Sequence, residues 1–167
     1  MEPARQAFIG VGANVRDRWA AIRNALGQLA AMPGLTVVVP SPVFETEPVG
    51  VLEQPRFLNL VVGVESSLTP EQLLRRLLEI EAGLGRQRTV RWGPRTLDLD
   101  LLLFEGETRH GAELELPHPR MWERAFVLAP LRELLRDPRF AGPVWNDLRN
   151  RLAGLSLDEG VRRWSPP

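Results

Sequence analysis

The segment Leu97-Asp98-Leu99-Asp100-Leu101-Leu102-Leu103-Phe104 begins with a strict alternation of leucine and aspartate. A strand satisfies that pattern, because successive side chains point to opposite faces; a helix does not. Thr96–Phe104 is therefore predicted as a strand. Leu97, Leu99, Leu101 and Leu103 should share one face against a core. Asp98 and Asp100 should share the other, with Cα atoms roughly 6.5–7 Å apart.

The flanking chain supplies partners for such a strand. Gln6–Val11 is an apolar run ending in Gly10-Val11-Gly12-Ala13-Asn14, which reads as a buried strand entering a tight turn. Asp17–Met32 carries Trp19, Ile22, Leu26 and Leu29 at helical spacing, and Pro33-Gly34 stops it. Leu35–Val39 is β-branched and reads as a strand that can run past Pro40 and Pro42 to Phe44. Thr46–Pro55 is a loop by its Pro and Gly content, and Phe57–Val64 is another apolar strand. Thr69-Pro70-Glu71-Gln72 has the form of a capping box opening a helix through Ile80 toward Gly83–Gly85. Gln87–Pro94 is a second loop. The resulting order, β-α-β-β-α-β, is the ferredoxin-like unit of an α+β fold: an antiparallel sheet with helices packed on it. C-terminal helices follow, from about Arg120 to Leu135 and near Val144–Leu152. No repeat or linker divides the chain, so residues 1–167 read as one domain.

Composition removes several chemistries. The chain has no Cys and no Tyr, and all 21 basic residues are Arg. Thiolate nucleophiles, disulfides, Cys-ligated zinc, Schiff-base lysines and the P-loop lysine are thereby excluded. The Gly10-Val11-Gly12 sequence is not a dinucleotide fingerprint, since Val15 stands in the third glycine's place. The 21 acidic residues balance the charge to zero, which argues against a general nucleic-acid or membrane-surface binder. No apolar run is long enough to span a bilayer and the start lacks a signal-peptide pattern, so the expectation is a cytoplasmic protein.

Two carboxylates on one strand face repel each other unless a cation lies between them, and hard oxygen donors suit Mg²⁺ completed by water and substrate phosphates. Taken alone, a D-x-D pair is more often the solvated side of a half-exposed strand. Here Arg86, Arg88, Arg91 and Arg95 precede it within ten residues with no acid among them. Guanidinium forks grip phosphate oxygens two at a time, so the combination fits a metal–polyphosphate site. Glu81, read as a helix-surface charge, His118 between two prolines, and Asn59 inside an apolar run are weaker signals. On these residues alone, two further readings stay open. One is another Mg²⁺-dependent phosphoryl or nucleotidyl transferase. The other is a ferredoxin-like RNA-binding module, against which stand the zero net charge and the lack of an RNP-type aromatic run.

Several strings carry a family resemblance: Gly10–Asn14, Thr46-Glu47-Pro48-Val49-Gly50, Gln54-Pro55-Arg56-Phe57-Leu58-Asn59, Arg91-Trp92-Gly93-Pro94-Arg95-Thr96-Leu97-Asp98-Leu99-Asp100, Pro117-His118-Pro119-Arg120-Met121, and Arg124-Ala125-Phe126. In that order they resemble the 6-hydroxymethyl-7,8-dihydropterin pyrophosphokinase (HPPK) family. The resemblance implies transfer of pyrophosphate from ATP to the pterin's hydroxymethyl group in folate biosynthesis, releasing AMP. It implies two Mg²⁺ ions on Asp98 and Asp100, with Arg86 and Arg95 joining them as catalytic residues. Glu81, Arg88, Arg91, Trp92, Leu101, His118 and Arg124 would serve ATP. Thr46, Pro48, Val49, Phe57, Asn59 and Phe126 would bind the pterin, the two phenylalanines sandwiching its ring. Phe57 stands where the family often has Tyr, and Glu47 where it often has Pro. The expected partners are these small molecules, with the protein acting as a monomer and engaging neither nucleic acid nor membrane.

Overall fold

The computed structural model describes residues 3–14, 17–46, 56–85, 97–157 and 160–167. Its elements run β1 (Arg5–Ala13), α1 (Arg18–Ala30), β2 (Leu35–Pro40), β3 (Val43–Thr46), β4 (Phe57–Ser66), α2 (Pro70–Gly85) and β5 (Leu97–Phe104). A two-strand hairpin follows, β6 (Arg109–His110) and β7 (Glu115–Leu116), then α3 (Ala125–Leu134), α4 (Asn146–Ala153) and β8 (Val161–Trp164). The main sheet has the order β5-β1-β4-β3-β8, with β2 also pairing β4. Every pairing is antiparallel.

The ferredoxin-like expectation stands, with one strand divided. The run from Leu35 to Thr46 is not one strand: Ser41 and Pro42 split it into β2 and β3, both lying along β4. Ser41 bridges the gap. Its N–H donates to the Val61 carbonyl at 2.8 Å, and its hydroxyl accepts from Val61 N–H at 3.0 Å. The proline that cannot donate to the ladder is thus passed without leaving Val61 unpaired.

The helices begin where their caps place them. Asp17 accepts from Ala20 N–H at 3.1 Å at the start of α1. At α2, Thr69 and Gln72 exchange the two bonds of the capping box, at 3.2 and 2.9 Å. Both helices lie on one face of the sheet. Ile22, Ala25 and Leu29 of α1 and Leu73, Leu77 and Ile80 of α2 pack with Ala7, Ile9, Val11, Leu58, Leu60, Leu97, Leu99 and Leu101.

The second face is covered by α3 and the C-terminal segment. Phe8, Val61 and Leu102 meet Leu128, Leu131, Phe140 and Trp145 there. Phe8 stacks on Phe140 with centroids 5.3 Å apart and meets Trp145 edge-on at 4.9 Å. Gly63 of β4 lies directly beneath the Phe140 ring, and any side chain at that position would occupy the ring's place. Fully burying a ring of this size contributes roughly 1.5–3 kcal/mol.

Two expectations are corrected. Leu103 does not join Leu97, Leu99 and Leu101. The register of β5 on β1 slips between Phe8 and Ile9, so Ile9 faces Leu101 while Phe8 faces Leu103. A bulge of this kind inserts one unmatched residue. Leu102 and Leu103 therefore pack with the α3 face, and Phe104 returns to the other. The expected helix over 120–135 is also interrupted: a 3₁₀ turn (Met121–Glu123) is followed by Arg124 in an extended conformation, and only then by α3. Near Val144–Leu152 the helical reading holds as a short 3₁₀ turn leading into α4. The closing strand β8, paired with β3, has no counterpart in the sequence reading.

Candidate active site

The aspartates emerge on one face, as their spacing requires. Gly12 of β1 pairs with Asp98 on one side and with Asn59 of β4 on the other; Gly10 pairs with Asp100 and with Val61. Directly opposed residues in an antiparallel pair share a face. Asp98, Asp100 and Asn59 therefore project to the same side, with two glycines as the floor between them. Thr46 and Phe57 are themselves a cross-strand pair at the end of β3 and the start of β4, and they complete that face.

This floor opens into a cavity of about 220 Å³, lined among others by Gly10, Gly12, Thr46, Phe57, Asn59, Asp98, Asp100, Arg124 and Phe126. Asn59 and Thr46 are buried, and Asn59 Nδ2 donates to Thr46 Oγ1 at 2.9 Å. That bond fixes the amide plane and leaves the Asn59 side-chain carbonyl toward Gly12: a Cβ on Gly12 would lie 2.8 Å from Oδ1. Phe57 and Phe126 are half-buried at the cavity wall, presenting aromatic surface to an occupant. Arg124 sits 4.0 Å from a carboxylate oxygen of Asp100 and 5.7 Å from the centre of the Phe126 ring. The extended break at Arg124 between the 3₁₀ turn and α3 is what brings it there.

A second cavity, of about 300 Å³, begins on the far side of Asp100, which lines both. Its walls include Glu81, Leu101, Leu114, Glu115 and His118. His118 is held by its surroundings: its N–H donates to the Leu102 carbonyl at 2.9 Å, and its Nδ1 accepts from Arg120 N–H at 3.3 Å. An accepting Nδ1 leaves the ring proton on Nε2, so Nε2 is the donor. Burial lowers the His118 pKa below the ordinary histidine value; the Asp100 charge opposes the shift and Arg124 adds to it. Glu81 accepts from Leu99 N–H at 2.6 Å.

Of the residues singled out in the sequence, Thr46, Phe57, Asn59, Asp98, Asp100, Arg124 and Phe126 converge on the first cavity, and Glu81, Leu101 and His118 on the second. Pro48, Val49, Arg86, Arg88, Arg91, Trp92 and Arg95 lie outside the described residues. Gly10 and Gly12 are site residues to which the sequence reading assigned no role. Their signal was there: a Gly-x-Gly on one strand has the same two-residue period as the Asp-x-Asp it pairs with. The β6–β7 hairpin, which walls the second cavity, was likewise missed.

Two carboxylates on one face over a glycine floor form a hard-oxygen donor set that fits Mg²⁺ shared with phosphate and water. Among the described residues no third acidic or histidine ligand joins them as a preformed cluster. Mg²⁺ ordinarily takes one or two carboxylates and leaves the remaining positions to substrate phosphates, which is the arrangement this pair allows. Among the described residues no helix is long and apolar enough to cross a membrane.

The family model described as 7,8-dihydro-6-hydroxymethylpterin-pyrophosphokinase (HPPK) matches residues 8–136. The 2-amino-4-hydroxy-6-hydroxymethyldihydropteridine pyrophosphokinase of Bacillus subtilis is 42% identical over 158 residues, covering 95% of this chain and 89% of the relative. That of Methylorubrum extorquens is also 42% identical, covering 95% and 98%. The mitochondrial folate synthesis bifunctional protein of Arabidopsis thaliana is 45% identical over 176 residues, which amount to 31% of its length. In fold, a crystal structure of Plasmodium falciparum HPPK-DHPS superposes with a TM-score of 0.68 at 15% identity. This chain spans about half of that one, 49% of its length.

Proposed function

The chain belongs to the 7,8-dihydro-6-hydroxymethylpterin-pyrophosphokinase family, and on that footing we propose that it transfers the pyrophosphoryl group of ATP to the hydroxymethyl oxygen of 6-hydroxymethyl-7,8-dihydropterin. The products are the pterin diphosphate and AMP, and the reaction belongs to folate biosynthesis. The observation that carries this reading is the convergence of Asp98, Asp100, Asn59 and two phenylalanines on one cavity, with Asp100 also facing a second. One cavity suits a flat, amide-like heterocycle; the second suits a nucleotide; and the carboxylates stand where the two substrates' reacting ends would meet.

In this mechanism Phe57 and Phe126 bind the faces of the pterin ring, and the Asn59 amide, locked by Thr46, reads its hydrogen-bonding edge. Pro48 and Val49 join them from the segment outside the described residues. Leu101 and Glu81 contact the adenosine, and His118 donates from Nε2 to a phosphate or ribose oxygen. Asp98 and Asp100 would hold two Mg²⁺ ions, which when bound would neutralise triphosphate charge and lower the pKa of the attacking hydroxyl. Arg124, with Arg86, Arg88, Arg91 and Arg95 and with Trp92 beside them, orients the phosphates for in-line displacement. The hydroxymethyl oxygen bonds to the β-phosphorus as the bond from that phosphorus to the α–β bridging oxygen breaks. AMP leaves with that oxygen, and the hydroxyl proton passes to a carboxylate of Asp98 or Asp100 or to solvent. Such transfer demands placement and charge stabilisation rather than a covalent nucleophile, which suits a chain with no Cys, Tyr or Lys.

The test is incubation with ATP, Mg²⁺ and 6-hydroxymethyl-7,8-dihydropterin, followed by mass analysis. Equal amounts of AMP and pterin diphosphate are expected. ADP with a pterin monophosphate would replace this reading by ordinary kinase action.

A further inference from the structure

Glu81 lies in the last turns of α2, four residues before Gly85 closes the helix. Its carboxylate meets the backbone of β5. One carboxylate oxygen of Glu81 accepts from Leu99 N–H at 2.6 Å, within the range of a charge-assisted bond and about twice as strong as a neutral one. Leu99 is the residue between Asp98 and Asp100, and among the described residues β5 is the terminal strand of its sheet, paired with β1 alone. An N–H on the outer edge of such a strand has no neighbouring strand to receive it.

We propose that Glu81 is a positioning residue. It takes the place of the neighbour that β5 lacks among the described residues, at the Asp98–Leu99 peptide between the two aspartates, and so sets the pitch at which both carboxylates face the cavity. Edge strands otherwise fray and twist, and a rotation of this peptide would swing Asp98 and Asp100 apart. Two donors that must share a cation tolerate little of that movement, since Mg²⁺ demands near-ideal octahedral placement. The inference rests on the reading of Asp98 and Asp100 as Mg²⁺ donors. It is a second role beside the adenosine contact proposed for Glu81, exerted through the strand rather than through the nucleotide.

The experiment compares Glu81→Ala, Glu81→Gln and Glu81→Asp in the full chain, each checked for a native thermal melt. Hydrogen exchange at the Leu99 amide reads the strand directly, without substrates. The expected result is exchange about tenfold or more faster in Glu81→Ala, with Glu81→Gln between the two because its amide oxygen accepts the same bond without the charge. Glu81→Asp keeps the charge but falls one methylene short, and should resemble Glu81→Ala; it serves in its place if the alanine variant does not fold. In turnover, the half-saturating Mg²⁺ concentration should rise about tenfold in Glu81→Ala while the KM for pterin stays constant. Unchanged Leu99 exchange, or a Glu81→Gln variant as impaired as Glu81→Ala, would overturn the proposal. Asp98→Ala, run alongside, tests the reading beneath it. If that variant keeps a wild-type Mg²⁺ response, the metal assignment fails, whatever Leu99 shows.

Discussion

Gly12 and Asn59 face each other across β1 and β4 so closely that a methyl group on Gly12 would sit 2.8 Å from the Asn59 side-chain oxygen. The missing side chain is therefore part of the binding surface. Gly12→Ala must turn the Asn59 amide away or strain it, although that amide is held on its other side by Thr46. Overpacking of this kind costs about 1–3 kcal/mol, so the KM for pterin should rise by about tenfold or more. The KM for ATP should stay put. In an Asn59→Ala background the added methyl has nothing to collide with, and steady-state kinetics should show little further loss. Additive losses would mean that Gly12 acts by another route.

Asp98→Ala and Asp100→Ala should each lower kcat by about 10²–10³, the usual effect of removing a group that stabilises transition-state charge. Circular dichroism should show the fold retained, because Asp98 is exposed and Asp100 only half-buried. Near-normal Mg²⁺-dependent turnover in either variant would remove the carboxylates from the centre of the mechanism.

His118 should titrate below the ordinary histidine value of about 6.5, since burial disfavours its charged form. At acid pH the unfolded chain then binds a proton that the folded chain binds less readily. The resulting penalty on stability is absent above pH ~6.5, and it grows as pH falls from there toward the folded pKa. Two measurements check this. NMR titration of the ring should give a midpoint below 6.5. Urea unfolding at acid and neutral pH should show wild type losing more stability on acidification than His118→Gln. A midpoint at or above the ordinary value would contradict the burial argument.

Gly63→Ala tests the opposite face. Its side chain would enter the space of the Phe140 ring, which packs on Phe8. A loss of about 1–3 kcal/mol in denaturant unfolding is expected, with the KM values for both substrates unchanged. A variant as stable as wild type would mean that the ring can shift without cost, and that the packing under α3 is looser than the close approach implies.

What could be read along the chain was whatever depends on near neighbours. The two-residue period of Leu97–Leu101 put Asp98 and Asp100 on one side, because a strand has no other way to place them. Thr69 and Gln72 announced the start of α2, since a cap is satisfied within a single turn. The apolar spacing of Ile22 and Leu29 declared the buried side of α1 for the same reason. Motif resemblance then supplied roles that periodicity cannot, including those of Phe57, Asn59 and Phe126.

What stayed hidden depends on partners distant in sequence. The slip that sends Leu103 to the α3 face arises from register between β1 and β5, and no residue of β5 alone encodes it. The splitting of Leu35–Thr46 at Ser41 is settled by Val61, and β8 exists only because β3 offers it an edge. Glu81 is an ordinary helix acid until the fold brings it to the Leu99 amide, 18 residues away. Gly12 is a small residue in a turn-like motif until Asn59 and Asp98 arrive on its two sides. Local conformation follows from steric and hydrogen-bonding preferences within a few residues. Register, edge pairing and the shape of a cavity follow from how separate elements dock, and that is a property of the packed whole.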